Sequence, residues 1–225
     1  MRSDAATPAA LLGGLNETER KNAPELLYYS GEATLLRAEK RVSVVGSRSV
    51  STEGARRTRA LVARLVELEI VIVSGLAKGV DSIAHETAIA QGGKTIAVLG
   101  TPLDQFYPKE NRALQERLMR DHLVVSQFPP GYPVQKNSFP MRNRTMALLS
   151  DATIIVEAGE KSGTLHQGWE ALRLGRPLFL LESVAQNPSL TWPAKMMDYG
   201  AEVLTRHNLD DLISETPGFA HAAAL

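Results

Sequence analysis

The chain has 225 residues, enough for one large domain or two small ones, and its 44% hydrophobic content supports a sizeable core rather than disorder. Lys and Arg together number 25, as do Asp and Glu, so global charge predicts no polyanionic partner and only local clustering can argue for one. The absence of cysteine excludes disulfides, thiolate metal sites and a cysteine nucleophile.

Residues 1–40 read as a polar leader, helical in short pieces ("PAALLGGL", "ATLLRAEK") and otherwise irregular. Its apolar stretch is too short for a signal peptide or a membrane span, so the expectation is a cytoplasmic protein with no membrane partner. Short apolar runs then alternate with helical periodicity. Strands are expected at 41–47, 70–75, 94–100, 122–128, 151–159, 176–182 and 201–205. Helices are expected at 52–69, 77–93, 109–121, 142–150, 164–175 and 192–200. Continuously apolar strands separated by helices imply an α/β fold, a doubly wound and mostly parallel sheet covered on both faces. One domain is expected over 41–206, with a short helix and tail over 207–225.

Ligands of such sheets bind beyond the carboxyl ends of the strands, where helix N-termini present unpaired N–H groups. The loops to inspect are "GSRSVS", "SGLAKGVD", "GTPLDQFYP", "PGYPVQKNSFPMRNR" and "EAGEKSGT". None is a dinucleotide fingerprint or a Walker loop, and nothing calls for a metal or another cofactor. Charge separates these loops. Residues 41–66 hold six arginines against one acid, Glu53, and residues 133–150 hold Lys136, Arg142 and Arg144 with no acid. If these loops share a sheet edge, a neutral protein gains a local positive face, and Phe139 beside it can stack on an unpaired base. Arg56, Arg57, Arg59 and Arg64 follow the helix period and read as a solvated helix face, whereas Arg48 and Lys136 sit in loops at strand ends.

Ser74, Gly75 and Lys78 form a strand-to-helix turn suited equally to phosphate and to simple capping by Asp81. Asp81 and His85, four apart, are expected to touch each other rather than a metal. Trp169 and the aromatic residues of "DQFYP" read as core or loop packing. Ser162, Gly163 and Thr164 open a helix and offer a second phosphate loop, with Glu157, Glu160 or Glu170 as the acid of an alternative nucleotide hydrolase. No paired carboxylates or Ser–His relation support that enzyme.

The segments "VSVVGSR", "VIVSGLAKGVDSIAH", "GGKTIAVLGTPLDQFYPKEN", "FPMRNRTMALLSDATIIVEAGEKSGT" and "ALRLGRPLFL" resemble, in order, those of the DprA/Smf family over residues 41–181. The resemblance implies an extended Rossmann-like fold that binds single-stranded DNA without sequence preference, a homodimer, and loading of the RecA recombinase onto incoming strands in natural transformation. It places the family's Gly-Ser-Arg turn on Gly46, Ser47 and Arg48, its lysine on Lys136 and its phenylalanine on Phe139, with Arg142, Asn143 and Arg144 following in the same motif. Members often carry an N-terminal helical domain and a C-terminal winged helix, for which residues before 41 and after 206 are too short. The segment after "RPLFLLE" also departs from the family pattern. A more distant likeness, to the cytokinin-activating phosphoribohydrolases, implies a nucleotide-binding sensor or enzyme as the alternative. It would place the catalytic glutamate where this chain has Gln167.

Overall fold

Six of the seven apolar runs bury consecutive side chains and so both faces, the last burying Leu204 alone, and the structure shows what covers them. The computed structural model describes residues 3–38 and 40–211. Its N-terminal segment holds β1 (Asp4–Ala6), α1 (Pro8–Leu12), α2 (Glu17–Asn22) and β2 (Leu27–Gly31), then a 3₁₀ turn at Ala33–Arg37. There follow β3 (Arg41–Gly46), α3 (Thr52–Glu67), β4 (Val71–Ser74), α4 (Val80–Ala90), β5 (Thr95–Leu99), α5 (Arg112–Asp121) and β6 (Leu123–Ser126). The second half holds α6 (Ser138–Leu148), β7 (Ala152–Glu157), α7 (Thr164–Arg173), β8 (Leu178–Leu181), α8 (Glu182–Ala185), α9 (Trp192–Asp198) and β9 (Glu202–Leu204).

Among the described residues the strands form one sheet in the order β1-β2-β6-β5-β4-β3-β7-β8-β9. β3 to β9 run parallel, while β1 and β2 pair antiparallel at one edge. Alternate residues point to opposite faces. On β3, Val42 and Val44 pack with Leu61, Val62 and Ala84 of α3 and α4, whereas Val45 packs with Met146 of α6. The chain winds outward from β3 through β4, β5 and β6, then returns to β7 on the other side. This reversal leaves a crevice above the carboxyl ends of β3 and β7, where open α/β sheets hold their ligands. At the opposite ends of the same two strands, the Asp151 carboxylate accepts the Arg41 backbone N–H at 2.8 Å and its guanidinium at 2.9 Å.

Two expectations change. The leader is not merely helical or irregular, because β2 joins the sheet through register pairs such as Tyr28 with Ser126 and Ser30 with Val124. β1 is three mostly exposed residues and β2 buries Leu27 alone, so neither presents an apolar run. The helix expected at 142–150 begins earlier, at Ser138. Pro140 is tolerated there because N–H groups in a first turn have no intrahelical acceptor to lose. Residues 209–211 are helical, and the rest of the expected C-terminal helix and tail lies outside the described residues.

Leu27 is fully buried, so Leu27→Ala is expected to lower the unfolding free energy by about 2–5 kcal/mol. Denaturant titration measures this directly, and a loss near zero would mean that β2 does not belong to the sheet.

Candidate nucleic-acid interface

The crevice between β3 and β7 opens into a cavity of about 620 Å³. Its walls come from the turn after β3 (Gly46, Ser47, Arg48), the first turns of α6 (Phe139, Arg142, Asn143) and the turn before α7 (Lys161 to Thr164). Two loops far apart in sequence thus share one edge, the condition on which a local positive face depended.

The turn after β3 is held from three sides. The Ser47 N–H donates to the Glu157 carbonyl at 2.6 Å, the Val80 N–H to the Ser47 carbonyl at 3.1 Å, and Thr164 Oγ1 to the Gly46 carbonyl at 3.0 Å. Gly79, at φ 78°, lies so close to the carbonyls of Ser47 and Arg48 that any side chain would collide with them. Arg48 is thereby fixed at the rim, with its guanidinium 5.6 Å from the centre of the Phe139 ring. Tyr107, half exposed, packs against Phe139 with ring centroids 5.3 Å apart. Neither Arg48 nor the exposed Lys136 forms an ion pair among the described residues.

Arg142 is a different kind of cation. It is buried, and its guanidinium donates to the carbonyls of Gly75 and Val98, at the ends of β4 and β5, and to Asn143 Oδ1 at 2.9 Å. Asn143 in turn donates to the Gly163 carbonyl at 3.2 Å. Burial pushes the Arg142 guanidinium below its ordinary range, with Asp81 opposing, and burial raises the Asp81 carboxyl with Arg142 opposing. A side chain at position 75 would overlap Arg142, so Gly75 makes room for the guanidinium. Together, Arg142 and Asn143 lock α6 against three strand-end turns.

Other expected site residues lie apart from the cavity. Arg144 is exposed and pairs with Glu170 at 3.4 Å. Lys78 pairs with Glu110 at 2.7 Å, and the buried Ser74 hydroxyl donates to the Val44 carbonyl. Arg56 and Arg57 pair with Glu53, and Arg64 with Glu67 and Asp210, as a solvated helix face should. The expected Asp81–His85 contact is replaced by two separate ones. Asp81 accepts the Ala77 N–H, while buried His85 bonds Thr95 and is pulled down to about 3 by desolvation. Glu157 accepts from the Ser51 N–H and hydroxyl at the start of α3, Glu160 binds Thr191, and Glu170 binds Arg173. None of these three carboxylates lines the cavity.

The loop packing expected of Tyr107 is met by the Phe139 ring, and Lys161 is a cavity-lining cation that sequence reasoning did not single out. Tyr107 sits in a loop that stands out for its position at a strand end, but nothing local distinguishes its ring from loop packing. The contact with Phe139 links residues 32 apart in numbering. Lys161 lines the cavity from a turn that also holds Glu160, and the acid next to it concealed a lysine facing a different neighbour.

Residues 4–217 match the family described as DNA recombination-mediator protein A. The chain belongs to this family. The match includes the N-terminal strands, beyond the 41–181 stretch that carries the resemblance in sequence. Among relatives of the mediator family, the DNA processing protein DprA of Streptococcus pneumoniae is 48% identical over 73% of this chain, and that of Bacillus subtilis is 34% identical over 86%. The aligned regions make up 57% and 65% of those two proteins. The solved structure of the pneumococcal protein superposes with a TM-score of 0.81 at 37% identity, covering 96% of this chain and 75% of that one. DNA processing protein A from Helicobacter pylori, solved in a description of its single-stranded DNA binding mode, superposes at 0.80 with 27% identity, covering 96% and 98%. A molybdenum cofactor binding protein from Rippkaea orientalis shares the fold alone, at 19% identity and a TM-score of 0.58, covering 79% and 97%.

The neighbouring arginines separate scaffold from surface. Arg142→Met leaves two strand-end carbonyls and a buried carboxylate without their partner, and should cost about 3–5 kcal/mol of stability. Arg144→Ala should cost about 0–1 kcal/mol, as exposed pairs do. Thermal or denaturant unfolding of the two variants gives the comparison, and equal losses would contradict the assignment.

Proposed function

We propose that this chain binds single-stranded DNA without sequence preference, with the strand laid along the rim formed by Tyr107, Phe139 and Arg48. The observation that carries this is the unpaired Arg48 guanidinium fixed over an aromatic ring at the switch point of the sheet. A guanidinium neutralises phosphate and a ring stacks on any base, a combination that reads backbone and base faces rather than sequence. Lys136, exposed one turn before Phe139, extends the cationic edge. The backbones of Gly46 and Ser47 shape the turn that presents Arg48. Arg142 and Asn143 act through the scaffold, and Arg144 lies outside the groove. The naming of the Helicobacter relative for its single-stranded DNA binding mode supports the reading.

The chain acts as a mediator rather than an enzyme in this proposal. Its support is that Glu157, Glu160 and Glu170 are engaged in fastening helices and turns, and that Gln167 stands where a phosphoribohydrolase would need its acid. Delivery of RecA, assembly as a homodimer and work in the cytoplasm complete the proposal on the strength of family membership. No helix among the described residues is long and apolar enough to cross a membrane. Sedimentation at micromolar concentration tests the dimer, and a monomer there removes it.

The groove itself is tested with oligo-dT. Arg48→Ala combined with Lys136→Ala should weaken every oligonucleotide alike and reduce the slope of log K against log salt by about 0.7 for each phosphate no longer neutralised. Phe139→Ala and Tyr107→Ala should each cost about 1–3 kcal/mol of binding with the slope unchanged. Parental binding by the double cation variant, at an unchanged melting temperature, would place the groove elsewhere.

A further inference from the structure

The crevice holds one more basic side chain, and its charge is not permanent. His166, on the first turn of α7, is exposed and lines the opening together with Arg48 and Lys161. Its backbone N–H donates to the Gly163 carbonyl at 3.2 Å, while its imidazole forms no hydrogen bond or ion pair among the described residues. Arg48 and Lys161 carry their charge at any ordinary pH, whereas a histidine gains or loses its charge between about pH 5 and 8. A protonated imidazole has two N–H donors and a positive charge to offer a phosphate, and a neutral one has a single donor and no charge.

The charges on the elements around His166 decide what that proton would meet. Asp81 of α4 is the one carboxylate lining the cavity among the described residues, and it is buried with Arg142 as its countercharge. From α6, Arg142 is spent on the carbonyls of Gly75 and Val98, and Arg144 pairs with Glu170, which also holds Arg173 on α7 itself. On the β7 side, Glu157 caps α3 and Glu160 binds Thr191. β8 carries no ionisable side chain. Each of these carboxylates already has a partner, so the countercharge for a protonated His166 is the phosphate that a strand would bring. The other described histidines do not share this setting. His85 and His122 are buried, and desolvation holds both below the ordinary imidazole range, while His207 follows β9 and does not line the cavity.

We propose that His166 is a proton-dependent phosphate ligand of the strand site, so that single-stranded DNA binds with uptake of a proton and more tightly at lower pH. The inference rests on the strand binding proposed for this crevice and adds its regulation. The sign follows from linkage. The complex holds a proton on His166 that the free protein lacks near neutral pH, and whichever state binds more protons is favoured as pH falls. Below the pH at which the free protein already carries that proton the advantage levels off, so the dependence is confined to the range in which imidazoles titrate.

The test measures binding of 5′-hydroxyl oligo-dT, which has no terminal monoester to titrate, to the full chain at about pH 6 and about pH 8. The parent should bind about three- to tenfold more tightly at the lower pH, the size of one added charged contact. Its slope of log K against log salt should be steeper there by about 0.7, for one more phosphate neutralised. Calorimetry near neutral pH, in two buffers of different ionisation enthalpy, should show net proton uptake. His166→Gln should remove the uptake and bind at the lower pH as the parent does at the higher. His166→Lys, with a permanent charge, should bind at the higher pH as the parent does at the lower. A histidine that only held the turn in place would not be rescued by lysine. Proton uptake that persists in His166→Gln, or parental affinity that is equal at the two pH values, overturns the inference and leaves the strand reading standing. No binding of oligo-dT at either pH overturns both.

Discussion

The geometry of the site depends on one buried guanidinium. Three strand ends and two helices meet above the sheet, and the carbonyls of Gly75 and Val98 face one buried space. Arg142 fills that space and gives Gly75 and Val98 the donors they need, while its charge is balanced by Asp81 from α4. Five N–H groups in a fixed plane are what make this possible, since a lysine ammonium cannot reach several turns at fixed angles. Because Asn143 follows directly and holds Gly163, the same stretch of α6 sets the distance between the two walls of the cavity. Phe139, one turn earlier on the helix, is placed at the rim by the same attachment.

The second constraint is the distribution of acids. A neutral chain can present a positive edge where its acids are spent on cations elsewhere, and several ion pairs do this. α3 carries its own counterions, Lys78 has Glu110, Lys94 has Glu32, and Arg41 has Asp151. Each exposed pair contributes little to stability. Their collective effect is on the field: Arg48 and Lys161 line one opening without an ion pair, and Lys136 is exposed in the loop before Phe139.

Much of the fold was legible because parallel strands covered on both faces leave continuous apolar runs that little else in the chain imitates. β3 through β9 were visible this way, with ends displaced by a residue or two. β1 and β2 were not, since a short antiparallel edge with one buried side chain looks like any polar segment. The start of α6 was hidden behind Pro140, a residue that breaks helices everywhere except in their first turn. In the site, Arg48 and Phe139 were visible as a cation at a strand end and an aromatic in an acid-poor stretch. Their contact with each other and with Tyr107 was not.

The sequence by itself determined the class of fold, the edge of the sheet where ligands belong and the loops that reach it, because burial and turn chemistry are local and periodic. It also determined that no cysteine chemistry is available. Which cations stay free, which are taken up by scaffolding, and which loops face one another were decided only by the tertiary structure. Arg142 and Arg144 are two residues apart in one basic motif, yet one is locked beneath the floor and the other is paired on the outer surface. A helix turns about 100° per residue, so residues two apart face opposite sides, and only the packing of α6 against β4, β5 and α7 says which side is which.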